Sequence, residues 1–284
     1  MVKLKIITVH YGKIETTLNC LSSLSHLPNL SDLIIINNSS QNITKLLKKK
    51  FKKVFVINNH QNFGYAAALN QGIKFIEAKH LRTNHLRGVY SATSEVFLIL
   101  NNDVTVEKNF LKKLLNYSQK HQTDITSPKI LDQNGRVWFD GGEIDKNRFT
   151  AGHKKGRLDF LSGCCLLIKR EVFEKIGFFD EQYFMYYEDV DFCFRARKAG
   201  FKLGIAEKAI VYHHIKHTQK SKKLMEYYLA HNHLLFVKKH APLFVKIREL
   251  IRLPKTLWQH YRNKEFAALA GIKDFFLQKH LRGG

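Results

Sequence analysis

Glu188, Asp189 and Asp191 stand within four positions of one another, in the stretch YFMYYEDVDFCFRARKAG (183–200). Carboxylates this close repel unless a metal, a cation or a shared proton compensates them. Asp191 has Arg195 four residues on, a helical spacing at which an ion pair forms. Glu188 and Asp189 have no such partner in the sequence. Asp189 suits a general base if a substrate hydroxyl comes within reach. The acidic first turn of a helix explains the same residues without chemistry.

Three further places carry reactive or ligand-forming types. LILNNDV ends an apolar run in Asn101, Asn102 and Asp103. A carboxylate at the end of a strand is well placed to hold a hard divalent cation, Mg²⁺ or Mn²⁺, together with substrate phosphates. A capping Asp in a turn is the plain structural alternative. NFGYAAALN places Gly64 and three alanines at a helix start, where a ligand or a strand can approach closely. His213 and His214 follow the run AIVY, and a histidine at a strand end can complete a metal site or hold phosphate. The chain has 15 histidines, so position alone says little.

The elements that must position these residues read as strands alternating with helices. Residues 3–11, 32–40, 53–59 and 95–103 are short, apolar and β-branched. Between them, 13–27, the ITKLLKKKF stretch and 64–78 have helical spacing. That alternation predicts an α/β fold with a mostly parallel sheet, whose ligands bind outside the carboxyl ends of the strands. The polar ends of the first, second and fourth strands should therefore meet in one crevice. Residues 79–94 are basic and aperiodic and read as a surface insertion. Past 104 follow a helix (EKNFLKKLLNYSQKH), a loop-rich stretch (132–159), the strand FLSGCCLLIK and the short helix REVFEKIG. VDFCFRARKAG is a helix stopped by Gly200, and 201–214 supplies a further strand or two.

The 284 residues carry 47 Lys and Arg against 24 Asp and Glu, a formal charge of +23. Nucleic acid, an anionic membrane surface and phosphate-bearing substrates all suit that charge. No helix-turn-helix, zinc-finger or RNP-type motif occurs, and no nucleic-acid partner is expected, although a nucleic-acid-binding protein is the rival class. Cys20, Cys164, Cys165 and Cys193 make no CxxC pair and read as buried, reduced thiols suited to a cytoplasmic protein. No apolar run approaches the ~18 residues of a membrane-spanning helix, and no signal peptide is evident. From residue 216 on, 15 Lys and Arg face 4 Asp and Glu. Leu243, Ile247, Leu250, Ile251, Pro254, Trp258 and Tyr261 share one helical face, with basic residues on the others. Such a segment packs on the main domain with its charges in water, or lies on a membrane as a peripheral contact at the inner face.

Taken in order, VHYGKIETTLNCLSSL, IINNSS, NFGYAAALNQGI, LILNNDV, LSGCCLLIKREVFEKIGFFDEQYFMYYEDVDFCFRARKAGF and AIVYHH resemble glycosyltransferase family 2 over about residues 3–214. They look most like its rhamnosyltransferase-like branch, enzymes that build bacterial surface polysaccharides. The resemblance implies a GT-A fold: a Rossmann-like nucleotide-sugar half (about 1–104) and an acceptor half (105–215), here followed by a basic helical extension (216–284). It implies a UDP- or dTDP-linked sugar donor, a saccharide or lipid-linked saccharide acceptor, and inversion at the anomeric carbon. Asp103 matches the aspartate that contacts metal and diphosphate, beside Asn101. Asp189 matches the catalytic base, with Glu188 holding acceptor hydroxyls, and His213 matches a metal or diphosphate ligand. Thr8, His10, Asn37 and Asn38 fall where the nucleoside binds, and Asn62 and Gly64 in the loop beside it.

Three departures stand out. Asn37 replaces the family's usual Asp, which can accept from a pyrimidine imide; Asn accepts only through its carbonyl. Asn101-Asn102-Asp103 replaces Asn-Pro-Asp or Asp-x-Asp at the metal turn. Ala68 replaces a usual glycine, and 79–94 is long. The missing second carboxylate at the metal turn also fits an inactive, scaffold-like relative.

Overall fold

The computed structural model describes residues 3–25, 33–51, 54–85, 95–215 and 218–279, with side chains left out for 79–85. The first half alternates strictly: β1 (Lys3–His10), α1 (Ile14–Leu24), β2 (Leu33–Asn37), α2 (Thr44–Lys50), β3 (Val54–Asn58), α3 (Tyr65–His85) and β4 (Glu95–Asn101). β3, β2, β1 and β4 lie side by side in that order, all parallel. All five residues of β2 and Val96–Leu100 of β4 are buried. This is what a parallel sheet covered by helices on both faces demands, and it explains the near-continuous apolar runs. Because the strands run the same way, His10, Asn37, Asn58 and Asn101 all arrive at one edge.

Beyond β4 strand direction is mixed. The elements are β5 (Val104–Val106), α4 (Phe110–His121), β6 (Ile125–Asp132), β7 (Val137–Phe139), β8 (Gly142–Ile144), β9 (Ala151–His153), β10 (Cys165–Lys169), α5 (Arg170–Ile176), α6 (Glu188–Lys198) and β11 (Leu203–His213). The sheet continues from β4 to β10, β6, β11 and β5, with β10 antiparallel to both of its neighbours. The parallel character read from the sequence thus belongs to β1–β4 and to the β6–β11 pair.

Three readings of the sequence change. β6 was not expected, because Pro128 sits within it and proline cannot donate to a ladder. Pairing to β10 stops at Thr126, and the register to β11 breaks just after Ala206 faces Pro128, so the proline lies where the ladder is already interrupted. The loop-rich 132–159 stretch contains three short strands, two of them the separate β8–β9 hairpin. Helix α3 runs on to His85, into the segment read as a surface insertion; residues 86–94 of that segment lie outside the described residues.

The tail forms α7 (Gln219–His240), α8 (Leu243–Arg262) and α9 (Phe266–Phe276), with Pro242 at the α7–α8 break. α7 packs along α9 and docks on the 180–191 segment. Among the described residues, no helix is long and apolar enough to cross a membrane. All four cysteines are buried and unpaired.

Candidate active site

The carboxyl edge of β2 and β3 is built from a repeated tripeptide. Strands β2 and β3 both end in Ile-Asn-Asn (36–38 and 57–59), and parallel register sets Asn37 against Asn58. Asn37 Nδ2 donates to Gln41 O (2.6 Å) and Asn58 Oδ1 (2.8 Å), while Asn37 Oδ1 accepts from Ser39 N (3.0 Å). The backbone partners fix which end of the amide is which, since Gln41 O can only accept and Ser39 N can only donate. Asn38 behaves likewise: Nδ2 donates to Gly64 O (3.0 Å) and Oδ1 accepts from Asn59 Nδ2 (2.7 Å). Asn62 Oδ1 accepts from Gly64 N at 3.0 Å. Gly64 has φ +90°, and a Cβ there would come within 2.6 Å of Phe184 O, so only glycine fits between this loop and the chain at Phe184.

These groups edge a cleft of about 1040 Å³. Asn38, Ser39 and Asn62 form one wall; Glu181, Gln182 and Phe184 form the other. Thr8, His10 and Asn37 lie behind that wall, each essentially inaccessible. Thr8 Oγ1 has no hydrogen-bond partner there, and burial holds the His10 imidazole below its ordinary pKa, hence neutral. The Asn37 carbonyl, the group left to read an imide, is already engaged by Ser39 N.

At the end of β4, Asn101 is held through its backbone by Cys164 O (2.9 Å), and Asn102 Nδ2 ties the turn to Thr17 Oγ1 (2.9 Å). Asp103 is fastened by His214 N, which donates to its carbonyl at 2.8 Å. Its Oδ1 lies 3.3 Å from His213 Nε2. Asp103 Oδ1 and His213 Nδ1 are both buried and without a hydrogen-bond partner. The orphaned Asp103 Oδ1, with His213 Nε2 beside it, fits a cation held by one carboxylate and one imidazole, with phosphate oxygens and water completing the shell. Among the described residues, no cluster of three or more His, Cys, Asp or Glu is placed to hold a metal by itself.

The acidic stretch opens α6 with its first two residues, Glu188 and Asp189. Asp189 Oδ2 accepts from Gly163 N (2.7 Å) and Oδ1 from Val190 N (2.8 Å). Glu188 Oε2 is buried with no partner. Burial raises both carboxyls; the N–H donors restrain the rise at Asp189, while the Asp189 charge adds to it at Glu188, which is driven well above the carboxylate range. Glu188 is therefore the member that keeps its proton and Asp189 the one that ionises. Asp191 points away, pairing with Arg195 Nε (2.7 Å) and His240 Nε2 (2.6 Å), which together hold its pKa below the ordinary value against the cost of burial.

Tyr65 shows how closely the parts converge. Its hydroxyl donates to Gly163 O at 3.1 Å. Burial and then the fields of Glu188, Asp189 and Asp103 push its phenol far above the tyrosine range. Carboxylates some 86 positions apart in sequence thus lie within electrostatic reach of one phenol. Sequence reading missed Tyr65, Gly163, Asn58, Asn59 and the tail residue Asn232. The repeated Ile-Asn-Asn was a usable signal for the asparagines. Asn232 Nδ2 donates to Met185 O and Tyr186 O, both at 2.8 Å, and no local pattern announces a contact across 46 residues.

The sequence matches the Glycosyl transferase family 2 profile over residues 5–177. It is 26% identical over 211 residues to the low-salt glycan biosynthesis hexosyltransferase Agl10 of Haloferax volcanii, covering 71% of this chain and 64% of that protein. The chain thus spans somewhat less than two thirds of that relative. It is also 26% identical over 244 residues to the N-acetylglucosaminyl-diphospho-decaprenol L-rhamnosyltransferase of Mycobacterium tuberculosis, covering 76% and 77%. Among solved structures, a mannosyltransferase from Pyrobaculum calidifontis in complex with GDP-Man and Mn²⁺ superposes with a TM-score of 0.58 at 11% identity, covering 98% of this chain and 88% of that one.

Proposed function

The chain belongs to glycosyl transferase family 2 and has the GT-A fold, and from that premise we propose an inverting transfer from a nucleoside-diphosphate sugar to a saccharide or lipid-linked saccharide. The observation that carries it is the Gly163–Cys164 dipeptide, which bonds Asp189 (2.7 Å), the Tyr65 hydroxyl (3.1 Å) and the Asn101 backbone (2.9 Å), while Gly64, the residue before Tyr65, sits against Asn38 and Phe184 of the cleft wall. Residues 1–215 form the catalytic unit in this reading, and 216–284 an extension.

Asp189 takes the proton of the acceptor hydroxyl while that oxygen attacks the anomeric carbon. The bond to the diphosphate oxygen breaks on the opposite face, its electron pair leaves with the diphosphate, and the configuration inverts. The raised pKa of Asp189 favours this role, since a base works best near the operating pH. Glu188, still protonated, donates a hydrogen bond to a second acceptor oxygen and fixes its orientation. Asp103 and His213 are the residues that would hold Mg²⁺ or Mn²⁺, which when bound neutralises charge on the leaving diphosphate. Asn38 and Asn62 face the nucleoside; Asn37, Thr8 and His10 shape the wall behind it. The donor is UDP- or dTDP-linked, with rhamnose the sugar that the relatives suggest. The chain's charge of +23 supports work at a membrane face, as a peripheral protein on a lipid-linked acceptor.

Thermal stabilisation by UDP, dTDP, GDP and CDP, each with and without Mn²⁺, tests the reading. A ligand at ~100 times its dissociation constant adds about 2.7 kcal/mol. A metal-dependent shift with one nucleotide supports the transferase and names its base. No shift with any of them in a folded sample overturns it, and nucleotide binding without turnover marks an inactive relative.

A further inference from the structure

Helix α8 is mounted inside out. Val245 and Glu249 are its buried residues. Glu249 meets Arg252 Nη1 (2.8 Å) and Arg148 Nε (3.8 Å), while Arg248 Nη1 donates to Asn147 Oδ1 (3.2 Å). The side turned to the protein is therefore mixed, with Glu249 and Arg252 beside buried Val245 and half-buried Leu253 and Leu257. The apolar stripe, Leu243, Ile247, Leu250, Ile251, Trp258 and Tyr261, faces outward, with Leu243 72% and Ile251 74% exposed. Phe266 extends it, its ring 6.4 Å from that of Tyr261. An exposed stripe of this size on a soluble chain marks a surface built to be covered.

The charges beside the stripe say by what. Helical geometry sets Lys246 on one flank and Arg248, Lys255 and Arg262 on the other. Arg248 lies over the Phe244 ring and Arg262 over the Trp258 ring, at 5.5 and 4.8 Å, so two guanidiniums are held at the level of the apolar groups. The helix's one acid, Glu249, is turned inward. A second copy docking on this face would set cations against cations. Nucleic acid would leave the Leu and Ile side chains without a partner. An anionic bilayer satisfies both parts: acyl chains receive the stripe, lipid phosphates receive the flanking cations, and Trp and Tyr suit the interface.

We propose that α8 seats the protein in the headgroup layer of an anionic membrane, apolar face down. This deepens the peripheral reading above without depending on the reaction. It also brings the acceptor side to the lipid. The 145–150 turn under α8 leads into β9, where Ala151 N donates to the hydroxyl of Tyr187, the residue before Glu188, at 3.3 Å. A lipid-linked acceptor would then approach the two acids from the membrane on which α8 rests.

The test sediments the full chain, without donor or acceptor, with vesicles of phosphatidylcholine alone or mixed with phosphatidylglycerol. Binding to the anionic vesicles only is expected, with a blue shift in tryptophan emission that Trp258→Phe abolishes. Ile251→Asp with Leu250→Ser should remove binding while the melting temperature holds, since both side chains are exposed. Lys246→Gln with Lys255→Gln should weaken it roughly thirtyfold, as each of the two cations near the surface is worth about 1 kcal/mol. The proposal is overturned if the anionic vesicles are not bound. It is overturned equally if Ile251→Asp leaves binding intact, or if it abolishes only a self-association of the chain. None of these results touches the nucleotide-binding test, so the transferase reading stands or falls separately.

Discussion

Asn232, in the second half of the tail's first helix, holds the backbone of Tyr186 through a 2.8 Å hydrogen bond, and Met185 through another of equal length. Tyr186 and Tyr187 have φ of 64° and 70°, in the left-handed region that bulky side chains avoid. The strained pair immediately precedes Glu188, so a residue of the extension pins the backbone that aims the acids. Asn232→Ala should cost about 1–3 kcal/mol in denaturant unfolding, the usual loss when buried carbonyls lose their donor. Turnover should fall while nucleotide affinity is kept; an unchanged turnover would separate the clamp from catalysis.

Glu188 has a folded pKa raised by burial. Such a carboxyl contributes stability below its unfolded pKa and loses it as pH rises through the folded value. Glu188→Gln removes that loss. The variant should therefore melt higher than the parent at neutral and alkaline pH, match it in acid, and transfer sugar poorly because acceptor positioning is weakened. A parallel pair of melting-temperature profiles against pH reads the sign directly.

Asp189 must be ionised to take a proton, so kcat should rise with pH through a limb above the ordinary Asp value. Asp189→Asn should lower kcat roughly 10²- to 10⁴-fold, the usual span for general-base catalysis, and leave nucleotide-induced stabilisation intact. Retention of more than a tenth of the activity would move the base elsewhere.

Asp191 has the opposite linkage. Its pKa is lowered by His240 and Arg195, so its stabilisation is present above the unfolded Asp value and is lost as pH falls through the folded one. Removing one partner of a buried pair costs about 3–5 kcal/mol, and Asp191→Asn, keeping shape but losing charge, should approach the lower end. The difference between variant and parent should shrink towards acid pH in chemical denaturation.

Asn37→Asp restores the residue usual in the family and should not restore base recognition. Its second carboxylate oxygen would meet Gln41 O and Asn58 Oδ1, where two hydrogen bonds now stand. A loss of about 1–3 kcal/mol is expected, with the order of nucleotide affinities unchanged in calorimetry. Tighter pyrimidine binding in the variant would show that Asn37 reads the base after all.

Local pattern determined much of this protein. Strand–helix alternation implied a parallel sheet, parallel strands necessarily deliver their ends to one edge, and so Asn37, Asn101 and Asp103 were legible as neighbours. The i,i+4 pair of Asp191 and Arg195 was legible for the same reason: helical geometry fixes it whatever the surroundings. β6 was hidden because Pro128 argues against a strand until its partners show where the ladder breaks. Only the tertiary structure decided that Asn37 spends both amide hydrogens on Gln41 and Asn58 and accepts from Ser39. Only it decided that Asn232 and His240 reach the acidic segment, and that α8 turns Leu250 and Ile251 to solvent rather than to the core. Periodicity shows that a helix has an apolar face but not which way it points, because that depends on what the other face can bond. Here Glu249 and Arg248 find Arg148 and Asn147 on the β8–β9 turn, and those polar contacts leave the stripe outside.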